Sequence, residues 1–292
     1  MDEKRSKLSN QAQADRMIKF TPYEEYKDKY GKIFQMERSA SGVLTAIWNN
    51  NGESDNWDVH LHRGLHQLCS DVGQDLDTEV LILGGAGEKF LVAAPTSLGD
   101  EAGQFHWVSY DCMYYDGCNM CEGLVNDVEV PTIGVINGEA FHSEIALFCD
   151  ITLMAEDAVI YDPHWFADML PGDGIQIALR HFLGTKRANA LMLLTTPVTA
   201  KQAYDWGLVT EVVPRDKIYD RAKEIGESLA AKPRVMRRAM TNLMRYDLKQ
   251  DMAKELRYSF GTEMWVDFIN QREIKDATHD DAVDKINEHV GQ

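Results

Sequence analysis

The sequence has no long hydrophobic run, no excess of basic residues and few cysteines. Its 292 residues contain no apolar stretch near the roughly 20 residues that a membrane span needs. The formal charge is −17, from 30 basic and 47 acidic side chains, which disfavours binding to nucleic acid or to anionic membranes. The N-terminal residues lack the apolar segment of a secretory signal, so we expect a cytoplasmic protein.

The five cysteines are an odd set in a chain without secretory features, so we expect reduced thiols and no disulfide framework. Cys118 and Cys121 form a CxxC motif with Cys112 nearby, which could hold a metal or act in redox chemistry. No second CxxC accompanies them, and the surrounding segment is rich in aromatic residues. We therefore interpret the pair as packing residues.

Two other patterns suggest ligand binding but are incomplete. Residues 84–87 (GGAG) follow a strand-like run, yet they lack the Lys-Ser/Thr of a phosphate-binding loop, so a tight turn is the better interpretation. An HxHxxxH set on a predicted helix resembles metal ligands, but no carboxylate signature completes it. A surface or packing role is favoured for its members, His60, His62 and His66.

Short strand-like segments alternate with helices through the first two thirds of the chain, and the last third is helical. This order predicts an α/β fold with a helical appendix. We divide the chain into a loose, polar N-terminal arm (residues 1–20), an α/β core (21–216), a helical C-terminal region (217–270) and a polar tail (271–292).

The central stretch (residues 130–174) carries the chemistry-bearing side chains. Residues 132–136 form an apolar, β-branched run typical of a buried strand, and residues 142–149 are predicted to be a helix after an intervening turn. A strand, turn and helix in this order place backbone N–H groups where they can stabilise a developing negative charge. A later loop carries His164 and Asp173, which could act as a base and its orienting partner. The combination indicates an enzyme.

Four segments carry a family resemblance: VPTIGVINGEAF, EIALFCDITLMAEDAVIYD, LPGDG and LGTKRANALMLLTTPVTAKQAYDWGLVTEVV. They are similar to the crotonase (enoyl-CoA hydratase/isomerase) superfamily, over roughly residues 33–265. The resemblance implies a crotonase-type spiral of short strands and helices with a helical C-terminal region. It also implies a homotrimer or hexamer, in which residues 217–270 mediate oligomerisation through an apolar row, Met240, Leu243, Met244 and Leu248. The scaffold hosts many reactions, so fold alone does not give function.

The sequence departs from the family's hydratases at the catalytic positions. Those enzymes use two glutamates, and Glu144 occupies the first position, whereas His164 stands at the second. The family's glycine-rich loop is shortened and has lost its glycines in residues 137–142. Asp173 stands where the family usually has a small residue. These changes argue against ordinary hydration of an enoyl thioester.

The altered pattern resembles the branch of 6-oxocamphor hydrolase and other β-diketone hydrolases, which cleave a C–C bond between two carbonyls without coenzyme A. The side chains that this resemblance implicates all occur in matching contexts: Trp57, His142, His164, Asp173 and Glu263. We expect a coenzyme-independent hydrolase of a cyclic or bulky small-molecule β-diketone, with no cofactor and no metal. The alternatives are an acyl-CoA hydratase, isomerase or thioesterase, and a non-catalytic scaffold or RNA binder, which the negative charge disfavours.

The resemblance assigns a role to each side chain of this set. His164 deprotonates water while Asp173 fixes its tautomer, because a neutral imidazole has a pKa near working pH. His142 donates to the carbonyl or enolate oxygen, Trp57 binds the second carbonyl, and Glu263 orients substrate or passes a proton to the enolate carbon. Each also has an ordinary structural interpretation as a loop cap, turn, helix start, pocket wall or solvated residue. The remaining assignments are to the substrate pocket: Ala93, Phe141 and Glu144, of which Glu144 is either a vestige or a supporting partner.

Overall fold

The structure is a computed structural model, and it describes residues 18–93, 107–162, 164 and 169–270. Its strands are β1 Phe34–Arg38, β2 Val43–Trp48, β3 Asn56–Trp57, β4 Val80–Gly85, β5 Lys89–Ala93, β6 Thr132–Ile136, β7 Glu139–Ala140, β8 Ile151–Ala155, β9 Val159–Ile160, β10 Val198–Thr199 and β11 Glu211–Val213. Its helices are α1 Tyr23–Tyr30, α2 Val59–Gln74, α3 Asp116–Asn126, α4 Glu144–Leu147, α5 Ile175–Leu183, α6 Thr185–Leu194, α7 Ala200–Asp205, α8 Ile218–Ala230, α9 Arg234–Met244 and α10 Tyr246–Asn270. A π-helical segment, Trp107–Tyr115, leads into α3, and a 3₁₀ turn, Arg215–Lys217, precedes α8.

The strands alternate between two sheets as the chain advances. One sheet has the order β1-β2-β4-β6-β8-β11 and is parallel except for the β1–β2 hairpin, and the other has the order β10-β9-β7-β5-β3 and is parallel except for β10. Each turn of the chain supplies one strand to each sheet and then a helix, as in β2–β3–α2, β4–β5–α3 and β6–β7–α4. This repeat is a spiral, and it confirms the predicted fold class.

The six-stranded sheet lies in the middle of the core because its central strands are apolar on both faces. Every residue of β4 and β6 is buried, which is typical of parallel strands covered by helices on each side. Helix α8 packs against this sheet closely, since a Cβ atom on Gly226 would approach Val43 Cγ1 to 2.8 Å. Among the described residues, no helix combines the length and the apolar character that crossing a membrane would require.

Most predicted elements are confirmed, with shifts of one or two residues at their ends. Thr199 caps α7, and its side chain and that of Gln202 form a reciprocal capping box. The GGAG segment is a turn, in which Gly87 has a φ of 69° between β4 and β5. The predicted arm falls mostly, and the predicted polar tail entirely, outside the described residues.

One helix prediction was wrong in extent. The helix predicted over residues 142–149 is only the single turn α4, and it begins after His142, whose φ of 51° a helix does not accommodate. The aromatic-rich segment around the CxxC motif is α-helical from Asp116, and the described part before it is the π-helical segment Trp107–Tyr115.

The C-terminal third is helical as predicted, and its junction between α9 and α10 is anchored inside the core. Buried Arg245 donates to Asp150 Oδ1 at 2.7 Å and to the carbonyl oxygen of Val128 at 2.7 Å, among other backbone acceptors. Leu248, expected in the outward apolar row, is instead buried against the core, because it lies on the inner face of α10. An exposed apolar surface remains on α9 and the start of α10: Val235, Met236, Met240, Leu243, Met244 and Tyr246.

Candidate active site

His142 lies in the turn between β7 and α4 and is buried. Its ring stacks on the indole of Trp57, with centroids 3.9 Å apart and planes inclined by 23°. The ring centroid of Phe141 lies 4.0 Å from that of His142. Trp57 ends β3, and its backbone pairs with Ala93 of β5, so two neighbouring strands place these residues together. The side chain of Ala93 is outside the described atoms. His142 has a positive φ of 51°, so it lies outside the helix that follows.

Two carboxylates contact the same nitrogen of His142. Its Nδ1 is 2.8 Å from Glu144 Oε1 and 3.0 Å from Asp173 Oδ2, and all three side chains are buried. Glu144 comes from α4 and Asp173 from the loop before α5. The sequence allowed Glu144 to be either a vestige or a supporting partner. The structure shows that it is a direct hydrogen-bonding partner of His142.

A hydrogen bond to the C-terminal helix α10 fixes the loop that carries Asp173. Glu263 of α10 is buried, and its Oε2 accepts a hydrogen bond from the N–H of Gly172 at 2.8 Å. A glycine is required there, because a Cβ atom on Gly172 would lie 2.3 Å from the carbonyl oxygen of Ser259. Glu263 thus fixes the backbone next to Asp173.

His164 is also buried, with its ring centroid 5.6 Å from that of His142 and 5.5 Å from that of Phe141. Its Nδ1 is 2.6 Å from Asp162 Oδ1, and its backbone N–H donates to the same oxygen at 2.9 Å. The expected His164–Asp173 pair is therefore arranged differently, since Asp173 bonds to His142. The physical reason is local: Asp162 precedes His164 by two residues and shares its turn.

The electrostatics of the cluster separate the histidines into two classes. Burial by itself lowers the pKa of His142, but the carboxylates of Glu144 and Asp173 outweigh it and raise that pKa to about 9. Burial also tends to lower the pKa of His164, but the carboxylate of Asp162 outweighs this effect and raises that pKa well above its ordinary value. Burial tends to raise the pKa of Asp173, but His142 and then His164 hold it well below its ordinary range. These shifts favour the imidazolium form of both rings and the ionised form of Asp173.

His62 is a neighbour of this cluster that sequence reasoning treated only as a surface or packing residue. Its ring packs 4.7 Å from that of Trp57, and its Nδ1 lies 3.2 Å from the carbonyl oxygen of Cys112. Burial and then the charge on His142 lower the pKa of His62 to about 4, so this ring is neutral. Among the described residues its Nε2 has no hydrogen-bond partner. The sequence signal was its place on the apolar face of α2.

One group among the described residues could hold a metal ion. His142, His164 and Asp173 place ligand atoms within 4.8 Å of one another. Two imidazoles and a carboxylate are a set that suits zinc or iron. The other sequence candidates have packing partners instead: His66 bonds to Asp116 at 3.0 Å. All five cysteines are buried and none forms a disulfide, and burial raises the pKa of Cys118 to about 12, in agreement with a packing role.

Comparison with known proteins places the chain in a family. Residues 58–285 match the enoyl-CoA hydratase/isomerase family, and the chain belongs to that family, within the crotonase superfamily of enzymes. It is 23% identical to probable enoyl-CoA hydratase 1, peroxisomal, of Arabidopsis thaliana, over 77% of this chain and 83% of that protein. It is 25% identical to the 1,2-epoxyphenylacetyl-CoA isomerase of Escherichia coli, over 68% and 77% respectively.

Solved structures give the same fold and one more specific likeness. A β-diketone hydrolase from the cyanobacterium Anabaena sp. PCC 7120, bound to (S)-3-oxocyclohexyl acetic acid, is 32% identical with a TM-score of 0.77. The match covers 84% of this chain and 97% of that one. An enoyl-CoA hydratase/isomerase from Mycobacterium paratuberculosis is 20% identical with a TM-score of 0.70, covering 80% and 93%, and indicates the fold alone.

Proposed function

We propose that this protein is a coenzyme-independent hydrolase that cleaves the C–C bond between the two carbonyls of a cyclic or bulky β-diketone. The observation that carries the proposal is the buried cluster of His142, His164 and Asp173 beside Trp57. Within this cluster, His164 stands at the position where the family's hydratases have their second glutamate. The likeness to the Anabaena β-diketone hydrolase supports the same reaction class.

In the proposed reaction, neutral His164 takes a proton from water as the hydroxide adds to one carbonyl carbon. Because Nδ1 of His142 is engaged by carboxylates, its Nε2–H is the group that donates to the substrate oxygen as negative charge grows there. The tetrahedral adduct then breaks its C–C bond, and the electron pair leaves as an enolate. The imidazolium of His164 returns its proton to the enolate carbon, so one diketone and one water give one keto acid.

The raised pKa of His164 has a consequence for this scheme. The raised pKa disfavours the neutral base form of His164, so kcat/KM should rise with pH until His164 has lost its proton. The imidazolium of His142, and that of His164 once it has taken the proton from water, stabilise the enolate that leaves. Glu263 acts through the backbone of Gly172, which positions Asp173.

The decisive experiment is incubation with a panel of cyclic 1,3-diketones, without coenzyme A, while loss of enol absorbance is followed. We expect cleavage by the wild type and a loss of about 10²- to 10⁴-fold in His164→Ala and Asp173→Asn. His60→Ala is the matched control, because His60 is an exposed histidine on α2. Wild-type turnover in both site variants would contradict the assignment.

The second candidate is an acyl-CoA hydratase, isomerase or thioesterase, which the names of the curated relatives and the retained Glu144 favour. A ligand that binds only the folded state raises its melting temperature. Stabilisation by acyl-CoA thioesters, together with no cleavage of any diketone, would replace the proposed function by this one. No stabilisation and no turnover with either class would favour a non-catalytic scaffold.

A further inference from the structure

Asp162 makes two hydrogen bonds to a single residue, His164. One oxygen, Oδ1, accepts from the backbone N–H at 2.9 Å and lies 2.6 Å from the ring Nδ1. The backbone bond fixes the turn, and the ring bond fixes the rotation of the imidazole on that turn. With Nδ1 held as a donor, Nε2 is the nitrogen that remains for chemistry.

The competing carboxylates are committed elsewhere. Asp173 Oδ2 lies 3.0 Å from Nδ1 of His142, and Glu263 accepts from the N–H of Gly172. Both still act on His164 through space, Asp173 from the loop before α5 and Glu263 from α10. His142 faces the same ring from the turn after β7, at a centroid distance of 5.6 Å.

We propose that Asp162 is the positioning residue of His164: it holds the Nδ1–H tautomer, directs Nε2 at the reacting water and stabilises the imidazolium that forms. Asp173 serves His142 instead. The site is then two separate carboxylate–imidazole pairs, one for the base and one for the oxyanion donor. The catalytic consequence rests on the proposed function, whereas the pairing itself does not.

The surroundings of Asp162 suit this role. Its side chain is only 14% exposed, and it borders a small cavity whose other walls are mostly apolar, among them Ile160, Pro171 and Ile175. A charge-assisted hydrogen bond is stronger where water is largely excluded. The low exposure of Asp162 therefore strengthens its bond to the ring of His164.

The test reads the rings directly, with no substrate. Two-bond ¹H–¹⁵N correlation spectra of the imidazoles give the tautomer and the pKa of each histidine across pH. In Asp162→Asn, which keeps an oxygen for the backbone N–H but loses the charge, we expect the pKa of His164 to fall while that of His142 moves less. Asp173→Asn should show the opposite order. Asp216→Asn, at an exposed aspartate, is the matched control. An unchanged pKa of His164 in Asp162→Asn would overturn the proposal.

A kinetic arm separates this inference from the proposed function. With a cleaved diketone in hand, Asp162→Asn should move the acidic limb of kcat/KM to lower pH, which a purely structural change would not do. Asp162→Ala should lower kcat by about 10²-fold, because misplacing a catalytic group by about 1 Å has an effect of that size. If no diketone is cleaved but the ring titrations behave as stated, the pairing stands and the proposed reaction fails. If diketones are cleaved and the limb does not move, the role of Asp162 fails.

Discussion

Raising the pH from 6.5 to 9 is expected to destabilise the folded protein through His142. Glu144 and Asp173 raise the pKa of this buried ring from 6.5 to about 9, against the opposing effect of burial. A histidine whose pKa is higher in the folded chain binds its proton more tightly there. The resulting stability is complete below pH 6.5 and is lost as the pH rises through 9. At about 1.4 kcal/mol per pH unit, the loss is about 3 kcal/mol.

Urea unfolding at several pH values between 6.5 and 9, at constant ionic strength, measures this loss. His142→Gln is the comparison, because glutamine can still donate to the carboxylates but does not titrate. The free energy of unfolding should fall by about 3 kcal/mol more in the wild type than in the variant over this range. Titrating groups that do not interact with His142 are common to both proteins and cancel in the difference. Parallel curves would refute the reasoning, as would a ring titration that places the pKa of His142 near 6.5.

Three further predictions concern the core, the chemistry and the assembly. Arg245→Met should lower the free energy of unfolding in urea by about 3–5 kcal/mol, because it leaves Asp150 and several carbonyls without their buried partner; a loss below about 1 kcal/mol would contradict this. Dialysis against EDTA should leave diketone cleavage unchanged, because the proposed route needs no metal; activity lost on dialysis and restored by Zn²⁺ would show that the metal-capable group works with an ion. Leu243→Asp, a charge on the exposed apolar surface of α9, should convert an expected trimer or hexamer into monomers in sedimentation; a monomeric wild type would exclude that assembly.

Much of the fold could be predicted because the central strands are continuous apolar runs bounded by turn residues. Residues 132–136 read as a buried strand from composition alone, and the structure places them in the middle of the six-stranded sheet. The start of α4 could not be predicted in this way. An amphipathic pattern favoured a helix from residue 142, but His142 has a positive φ and stacks on Trp57, a tertiary contact that the local pattern does not contain.

The residues of the candidate site could be predicted from the sequence, but which carboxylate bonds to which histidine could not. Motif contexts brought His142, His164 and Asp173 together, and these side chains do lie within reach of one another. Which carboxylate serves which ring depends on side-chain distances of about 3 Å, and these are not encoded in spacing along the chain. Asp162 lies two residues before His164 in the sequence, yet only the folded turn shows that its Oδ1 contacts Nδ1 of that ring. His62 shows its burial only once Trp57 and Phe260 are packed around it.

The hydrogen bond from Gly172 to Glu263 joins residues 91 positions apart and has a consequence for biosynthesis. A ribosome adding about 5–20 residues per second would need roughly 5–20 seconds to travel from one to the other. During that interval the nascent chain already contains every histidine of the cluster, but the loop bearing Asp173 lacks its clamp. The loop bearing Asp173 is therefore fixed only late in translation, and a product that ends before α10 would lack the hydrogen bond that positions this loop.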